Sequence, residues 1–158
     1  KCKISPSGYQ WFDLSNDDPE YILKEAVKAE IKLNQFIQEI INKFDLEKNK
    51  ICLSGFSQGC MMSLNLALNS DEMYSCVVGF SGKIIDKDYL EKKKSVSPNI
   101  LLIHGDTDEI VSPNCMLEAK DFFIRKNINI QSHLIKDCGH HIPLEASSIA
   151  LEFLKKNL

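Results

Sequence analysis

The sequence lacks the features that mark several large classes of protein. No apolar run reaches the length of a membrane span, and the first residues contain no apolar signal core. The net charge is only −3 and the lysines are scattered, while the run 92–94 is typical of a solvated face. No repeat or low-complexity segment is found. We therefore predict a protein with no integral membrane segment and no nucleic-acid partner.

The six cysteines include no Cys-x-x-Cys pair, the spacing common in redox and zinc sites. Three disulfides are possible by number, yet several cysteines lie in apolar segments. We expect reduced, mostly buried thiols, and we predict a cytoplasmic location because such thiols are typical of a reducing compartment. Cys60 opens a predicted helix, where a thiol pKa can be lowered, but a packed thiol is the favoured interpretation.

The 158 residues, 44% of them hydrophobic, suffice for a substantial core, and we predict a single domain over 1–158. After Asn49, strand-like apolar runs alternate with helical patterns, which predicts an α/β fold with a mostly parallel sheet flanked by helices. The predicted strands are 50–54, 74–80, 99–104 and 128–135. The predicted helices are 58–69, 113–126 and 143–157, and a polar stretch covers 82–98.

The beginning of the chain has a different pattern. Residues 1–18 are predicted to be irregular, with an apolar cluster folded over the body of the domain. The cluster consists of Tyr9, Trp11, Phe12 and Leu14. A long helix follows, because Asp18 can cap it, Pro19 suits its first turn and apolar residues recur at helical spacing as far as Phe44. The chain starts without an initiator Met, so we expect a fragment.

Gly-Phe-Ser-Gln-Gly at 55–59 carries the most chemical information. It follows an apolar strand pattern and begins a helical one, which is the context of a nucleophile elbow. In such an elbow the serine has strained backbone, and the flanking glycines allow close approach of neighbouring segments. Ser57 is therefore the candidate nucleophile; an ordinary βα turn is the alternative.

The partners that a serine nucleophile needs appear downstream, acid first and histidine last. Asp108 follows the predicted strand 99–104, and His140 follows the predicted strand 128–135. Both should lie in loops at the carboxyl edge of the sheet, where α/β proteins build their sites. We predict that His140 takes the proton of Ser57 and that Asp108 orients the imidazole.

Other residues could fill these roles. His141 is the alternative base and Asp106 the alternative acid, although Asp106 is better suited to bracing its loop. His133 is expected to be structural, and His104 to form a hydrogen bond at the strand end. A metal site is a further alternative, since these side chains mix nitrogen and oxygen ligands. They lack a compact zinc motif, and a metal would leave the serine elbow unexplained.

An oxyanion formed during acyl transfer needs hydrogen-bond donors. One predicted donor is the backbone N–H of Gln58, the residue after the nucleophile. The second usually comes from an upstream loop, often at a His-Gly sequence, and the only His-Gly here, at 104–105, lies downstream. A missing donor would lower the rate by roughly a hundred- to a thousandfold.

Together these motifs resemble the phospholipase/carboxylesterase family of α/β-hydrolases, relatives of which include acyl-protein thioesterases. The matching segments are Trp-Phe-Asp at 11–13, the long helix, 55–59, Phe-Ser-Gly at 80–82, His-Gly-Asp-x-Asp at 104–108 and Gly-His at 139–140. The resemblance implies an α/β-hydrolase fold with Ser57, Asp108 and His140 as the triad. It also implies activity on carboxylic esters, lysophospholipids or thioesters of acylated proteins, with no metal or organic cofactor.

The chain departs from this family at its beginning. Family members have further strands before Trp-Phe-Asp, so the resemblance implies an N-terminally truncated fold. The strand 50–54 would then expose an unpaired edge, through which self-association is possible. The competing hypothesis is a catalytically inactive remnant that acts as a partner-binding module. A smaller departure is Glu109, where relatives often have Pro.

Overall fold

A computed structural model of the chain describes residues 2, 7–13, 15–91 and 97–158. It contains two compact units, Lys1–Leu46 and Glu47–Leu158. The single domain over 1–158 stays a prediction, as does the packing of the N-terminal apolar cluster over the body of the domain. Leu14 of that cluster and the lysine run 92–94 lie outside the described residues.

The first unit contains the predicted long helix, α1, which spans Pro19–Phe44. An Asp18 Oδ1 atom accepts a hydrogen bond from the backbone N–H of Glu20 at 3.1 Å, as a helix cap should. The helix ends at Phe44 and is capped by Asp45, whose φ of 51° is left-handed. The predicted cap, the proline in the first turn and the end near Phe44 are therefore confirmed.

In the part of the second unit that the structure describes, four parallel strands form one sheet in the order β1-β2-β3-β4. The strands are β1 (Cys52–Phe56), β2 (Cys76–Phe80), β3 (Asn99–Gly105) and β4 (Ile130–Ile135). The helices are α2 (Gln58–Asn69), α3 (Lys87–Glu91), α4 (Asn114–Arg125) and α5 (Leu144–Asn157), with a 3₁₀ turn at Lys48–Lys50. The predicted α/β alternation is confirmed. The short α3 in the polar stretch and the 3₁₀ turn were not predicted.

The hydrophobic core of this unit is built on the central strands. Every residue of β2 is buried, as expected for a strand in the middle of a parallel sheet. On one face, Val78 and Leu101 belong to a cluster that includes Ala150 and Phe153 of α5. Helix α2 is buried from Cys60 to Leu68, nine residues in succession. The sheet is thus a rigid support for the loops that leave its carboxyl edge.

Strand β1 lies at one end of this sheet and, among the described strands, pairs with β2 alone. It runs to Phe56, two residues beyond the predicted end, because Gly55 and Phe56 continue the register opposite Gly79 and Phe80. Ser54 on this strand is exposed. The predicted sheet edge is therefore found here, whereas self-association through it stays a prediction.

Of the helices that the structure describes, none combines the length and the hydropathy that crossing a membrane requires.

Candidate active site

Ser57 occupies a strained turn between β1 and α2. Its backbone has φ 54° and ψ −116°, a region that residues with a side chain rarely adopt. Such a conformation costs of order 1–3 kcal/mol and persists only where the surroundings enforce it. Here the Ser57 N–H donates to Phe80 O at 2.8 Å, and Met61 N–H donates to Ser57 O at 3.1 Å. The predicted elbow geometry is therefore present.

The turn is tight enough that Gly55 has no space for a side chain. A Cβ atom built on Gly55 would lie 2.1 Å from the carbonyl carbon of Gly59 and 2.6 Å from the backbone nitrogen of Cys60. Those are backbone atoms and cannot rotate away. A Cβ atom on Gly59, in contrast, would meet nothing within 4 Å. Gly55 is thus required because a side chain would not fit there, and the backbone of Gly59 is what it packs against.

The carboxylate of Asp108 lies just beyond β3, with none of its side chain exposed. Its Oδ1 accepts hydrogen bonds from the backbone N–H groups of Ile110 and Val111, each at 2.9 Å. Its Oδ2 lies 2.7 Å from His140 Nδ1. Because an ionised carboxylate can only accept, Nδ1 of His140 is the donor, which leaves Nε2 as the other ring nitrogen for chemistry.

Two opposing effects set the charge of Asp108. Burial acts to raise its pKa, but hydrogen bonds from His140, Val111 and Ile110 and the charge interaction with His140 outweigh that effect. The pKa of the Asp108 carboxyl is therefore lowered from its ordinary value. The side chain is ionised near neutral pH, as an acceptor that orients an imidazole must be.

The loops that carry Asp108 and His140 are locked to each other. Asp106 Oδ1 accepts from the Cys138 N–H at 3.3 Å, and the Thr107 N–H donates to Cys138 O at 3.0 Å. A Cβ atom on Gly105 would lie 2.1 Å from Cys138 O, so only glycine permits this approach. The prediction that Asp106 braces its loop is confirmed.

An aromatic contact links the histidine loop to the elbow. The ring of Phe56 lies 4.7 Å from the ring of His140, centroid to centroid, at an interplanar angle of 42°. Phe56 is the residue before Ser57, so the end of β1 lies beside His140. Among the hydrogen bonds of the described residues, none joins Ser57 to His140. Asp108 and His140 thus touch directly, while Ser57 is connected to them through its neighbour.

The remaining predicted residues have these positions. Gln58 is the first residue of α2, where backbone N–H groups point out of the helix end. His141 is exposed, and its Nε2 lies 3.8 Å from Cys138 Sγ. His133 is exposed on β4. His104 is buried at the end of β3 and bonds to Val111 O, as predicted. Within the part of the chain that the structure describes, no three or more metal-ligating side chains form a cluster.

Cys60 is a packed thiol, as the favoured interpretation held. Its side chain is 1% exposed and lies against two glycines, since a Cβ atom on Gly79 or Gly82 would be 2.4 or 2.5 Å from Cys60 Sγ. Burial raises the pKa of the Cys60 thiol to about 12, although a hydrogen bond with the Gly82 backbone acts in the opposite direction. It is therefore unreactive near neutral pH.

Several contributors to this site were not predicted from the sequence. They are the Phe56 ring on His140, the amides of Ile110 and Val111 on Asp108, and the short distance from His104 to the same carboxylate. Only Phe56 had a signal, its position next to the candidate nucleophile. The backbone amides carry no side-chain signature, so their role follows only from the shape of the loop.

A strained serine after one parallel strand, an acid after a later strand and a histidine after the last define the architecture of an α/β-hydrolase. The described geometry and the parallel sheet place this chain in that class. The chain belongs to the phospholipase/carboxylesterase family, whose family model matches residues 4–158. Through this family the chain is a carboxylic ester hydrolase.

Individual relatives agree with this assignment. The chain is 26% identical to acyl-protein thioesterase 1 of Yarrowia lipolytica over 97% of its own length and 69% of the relative. It is 29% identical to acyl-protein thioesterase 1 of Kluyveromyces lactis, with the same coverage of 97% and 69%. Among solved structures, esterase PE8 is 33% identical with a TM-score of 0.93, covering 99% of this chain and 74% of that one.

Proposed function

We propose that the protein cleaves carboxylic esters or thioesters through an acyl-enzyme, with Ser57 as nucleophile, His140 as base and Asp108 as the acid that orients it. The observation that carries this proposal is the 2.7 Å hydrogen bond between buried Asp108 and His140, whose ring packs on the residue before Ser57. This arrangement leaves His140 Nε2 for the proton of a hydroxyl. The strained backbone of Ser57 supports the same assignment.

In the first half-reaction, Ser57 Oγ attacks the carbonyl carbon while its proton passes to His140 Nε2. Asp108 stabilises the imidazolium, and the Gln58 backbone N–H donates to the oxyanion. The tetrahedral intermediate then expels the alcohol or thiol, which takes the proton from His140. In the second half, water attacks the acyl-Ser57 ester with His140 as base, the carboxylic acid leaves and the Ser57 hydroxyl is restored.

The proposed substrates are small or lipid esters and acylated proteins, the last because two relatives are named acyl-protein thioesterases. Esters and thioesters share the acyl-enzyme step, so one site can serve both. The proposed chemistry uses no metal or organic cofactor. The reduced cysteines support a cytoplasmic location. All the groups named here lie within a proposed single domain.

The second oxyanion donor is not assigned to a residue in this proposal. Removal of one donor typically lowers turnover by roughly a hundred- to a thousandfold. An inactive remnant is the less favoured alternative, because the relatives compared above are named as thioesterases or esterases.

The test is intact-protein mass after exposure to a fluorophosphonate, which labels an activated serine. We expect one adduct on the folded protein, no adduct after heat unfolding and none on Ser57→Ala. The matched control is Ser147→Ala, which removes an exposed serine of α5 and should label like the wild type. A folded wild-type protein without an adduct would refute the proposed function for this chain. If the wild type is labelled, its rates of hydrolysis of matched oxygen esters and thioesters rank the substrates.

A further inference from the structure

His104 makes contacts that its place at the end of a core strand does not require. Its side chain is 1% exposed, and its Nε2 lies 2.8 Å from Val111 O and 3.2 Å from Asp108 Oδ2. A buried imidazole in a strand could instead pack as an apolar group. Here one ring nitrogen faces two acceptors of the acid loop, and one of them is the oxygen that also binds His140.

These distances fix the tautomer of His104. A backbone carbonyl can only accept, so the short contact with Val111 O requires a hydrogen on His104 Nε2. The same nitrogen lies 3.2 Å from Asp108 Oδ2, although its hydrogen bond is to Val111 O, so four N–H groups lie around the carboxylate. Two backbone amides hold Oδ1, while His104 and His140 approach Oδ2. Three of the four are independent of His140.

The contacts of His104 also close a ring through Val111. The Val111 N–H donates to Asp108 Oδ1, and Val111 O accepts from His104 Nε2. His104 therefore anchors the loop residue that binds Oδ1, and its Nε2 lies beside Oδ2. Rotation of the carboxylate away from His140 would break the Val111 hydrogen bond and move Oδ2 from the His104 ring.

We infer that His104 is a positioning residue for the acyl-transfer reaction: its Nε2–H anchors the acid loop at Val111 O and lies beside Asp108 Oδ2, and it thereby keeps the carboxylate where Oδ2 holds His140 Nδ1–H and directs Nε2 of His140 toward Ser57. This inference rests on the proposed function. His104 touches neither the substrate nor Ser57 in this scheme, and it acts only through Asp108.

The test compares three substitutions at this position. In His104→Gln the side-chain amide nitrogen can reach the position of Nε2, in His104→Asn it reaches only as far as Nδ1, and His104→Leu fills space without a donor. We expect kcat to fall about tenfold in the Leu and Asn variants with KM unchanged, as for loss of the hydrogen bond that anchors the acid loop, and Gln to restore most of it.

The pH profile distinguishes positioning from packing. Without the His104 donor, the carboxylate attracts the proton of His140 more strongly, so the acid limb of kcat/KM should move to higher pH in the Leu and Asn variants. The other titratable groups nearby, Asp106, Cys138 and Glu145, are the same in every variant. A Leu variant with wild-type kcat and pH profile, or Gln and Leu variants equally impaired, would overturn the inference.

A spectroscopic measurement on the wild type keeps the inference testable if the variants do not fold. Nitrogen-15 NMR should find the Nε2–H tautomer at His104 and a resonance for that proton that shifts in Asp108→Asn. An Nδ1–H tautomer at His104 would refute the inference. Fluorophosphonate labelling of the same samples separates the two proposals. A folded wild type that does not label defeats the proposed function, whereas a labelled wild type with an unimpaired Leu variant defeats only the role of His104.

Discussion

The two glycines of the elbow should respond in opposite directions to the same substitution. In Gly55→Ala the new methyl group would lie 2.1 Å from the carbonyl carbon and 2.2 Å from the oxygen of Gly59. Neither backbone atom can move without shifting β1 or the first turn of α2. Overpacking of this kind typically costs about 1–3 kcal/mol. In Gly59→Ala the methyl group enters open space.

Gly59 is the second residue of α2, where alanine is a better helix former than glycine. The alanine also restricts the unfolded chain, so Gly59→Ala should raise the free energy of unfolding by about 0.4–1 kcal/mol. The expected difference between the two variants is therefore roughly 1.4–4 kcal/mol, the sum of the two effects. The two variants differ only in whether the added methyl group is at position 55 or at position 59.

The assay is urea unfolding of both variants beside the wild type, combined with the rate of fluorophosphonate labelling. Gly55→Ala should unfold at lower urea and label more slowly, because relief of the clash displaces Ser57. Gly59→Ala should unfold at higher urea than the wild type, with an unchanged m value. Equal stability of the two variants would refute the argument that Gly55 is required by close backbone approach.

Three further predictions concern the site. Ser57→Gly should abolish labelling yet raise the free energy of unfolding by about 1 kcal/mol in urea titrations, because glycine tolerates φ 54°; a destabilised variant would contradict the strain. The lowered pKa of Asp108 contributes stability that is present above its unfolded value near 3.9 and lost as pH falls through the folded pKa. Melting temperatures should therefore fall more steeply below pH 4 for the wild type than for Asp108→Asn. Parallel curves would argue against a lowered pKa of Asp108 in the folded protein. Folded protein treated with iodoacetamide at pH 8 should stay unmodified at Cys60 by peptide mass mapping, and rapid modification would contradict its packing.

The sequence predicted the secondary structure well where local signals agree with the packing. Helix α2 matches the predicted 58–69, and α1 begins at the predicted cap because Asp18 and Pro19 act within one turn. The strand ends were less accurate. Strand β1 extends to Phe56 because of its register with β2, and a pairing between strands is not visible in a single segment.

The site was predictable as far as side-chain motifs determine it. The order of the motifs correctly predicted that Asp108 and His140 follow parallel strands, and the structure joins these two side chains by a hydrogen bond. The amides on Asp108 and the second contact of His104 were not predictable, because they depend on how the loop after β3 folds back. A motif identifies which side chains are available, whereas the loop backbone determines how they are held.

The position of the proposed groups in the fold separates two properties that are often measured together. Ser57, Asp108 and His140 all lie within Glu47–Leu158, so the groups proposed to activate the serine come from one compact unit. Labelling by a fluorophosphonate and the first half-reaction of ester hydrolysis would both use attack by Ser57, whereas turnover also needs water to attack the acyl-enzyme. We therefore expect Ser57→Ala to lose both properties, and a variant that is labelled at the wild-type rate without turning over would have its defect in the second half-reaction.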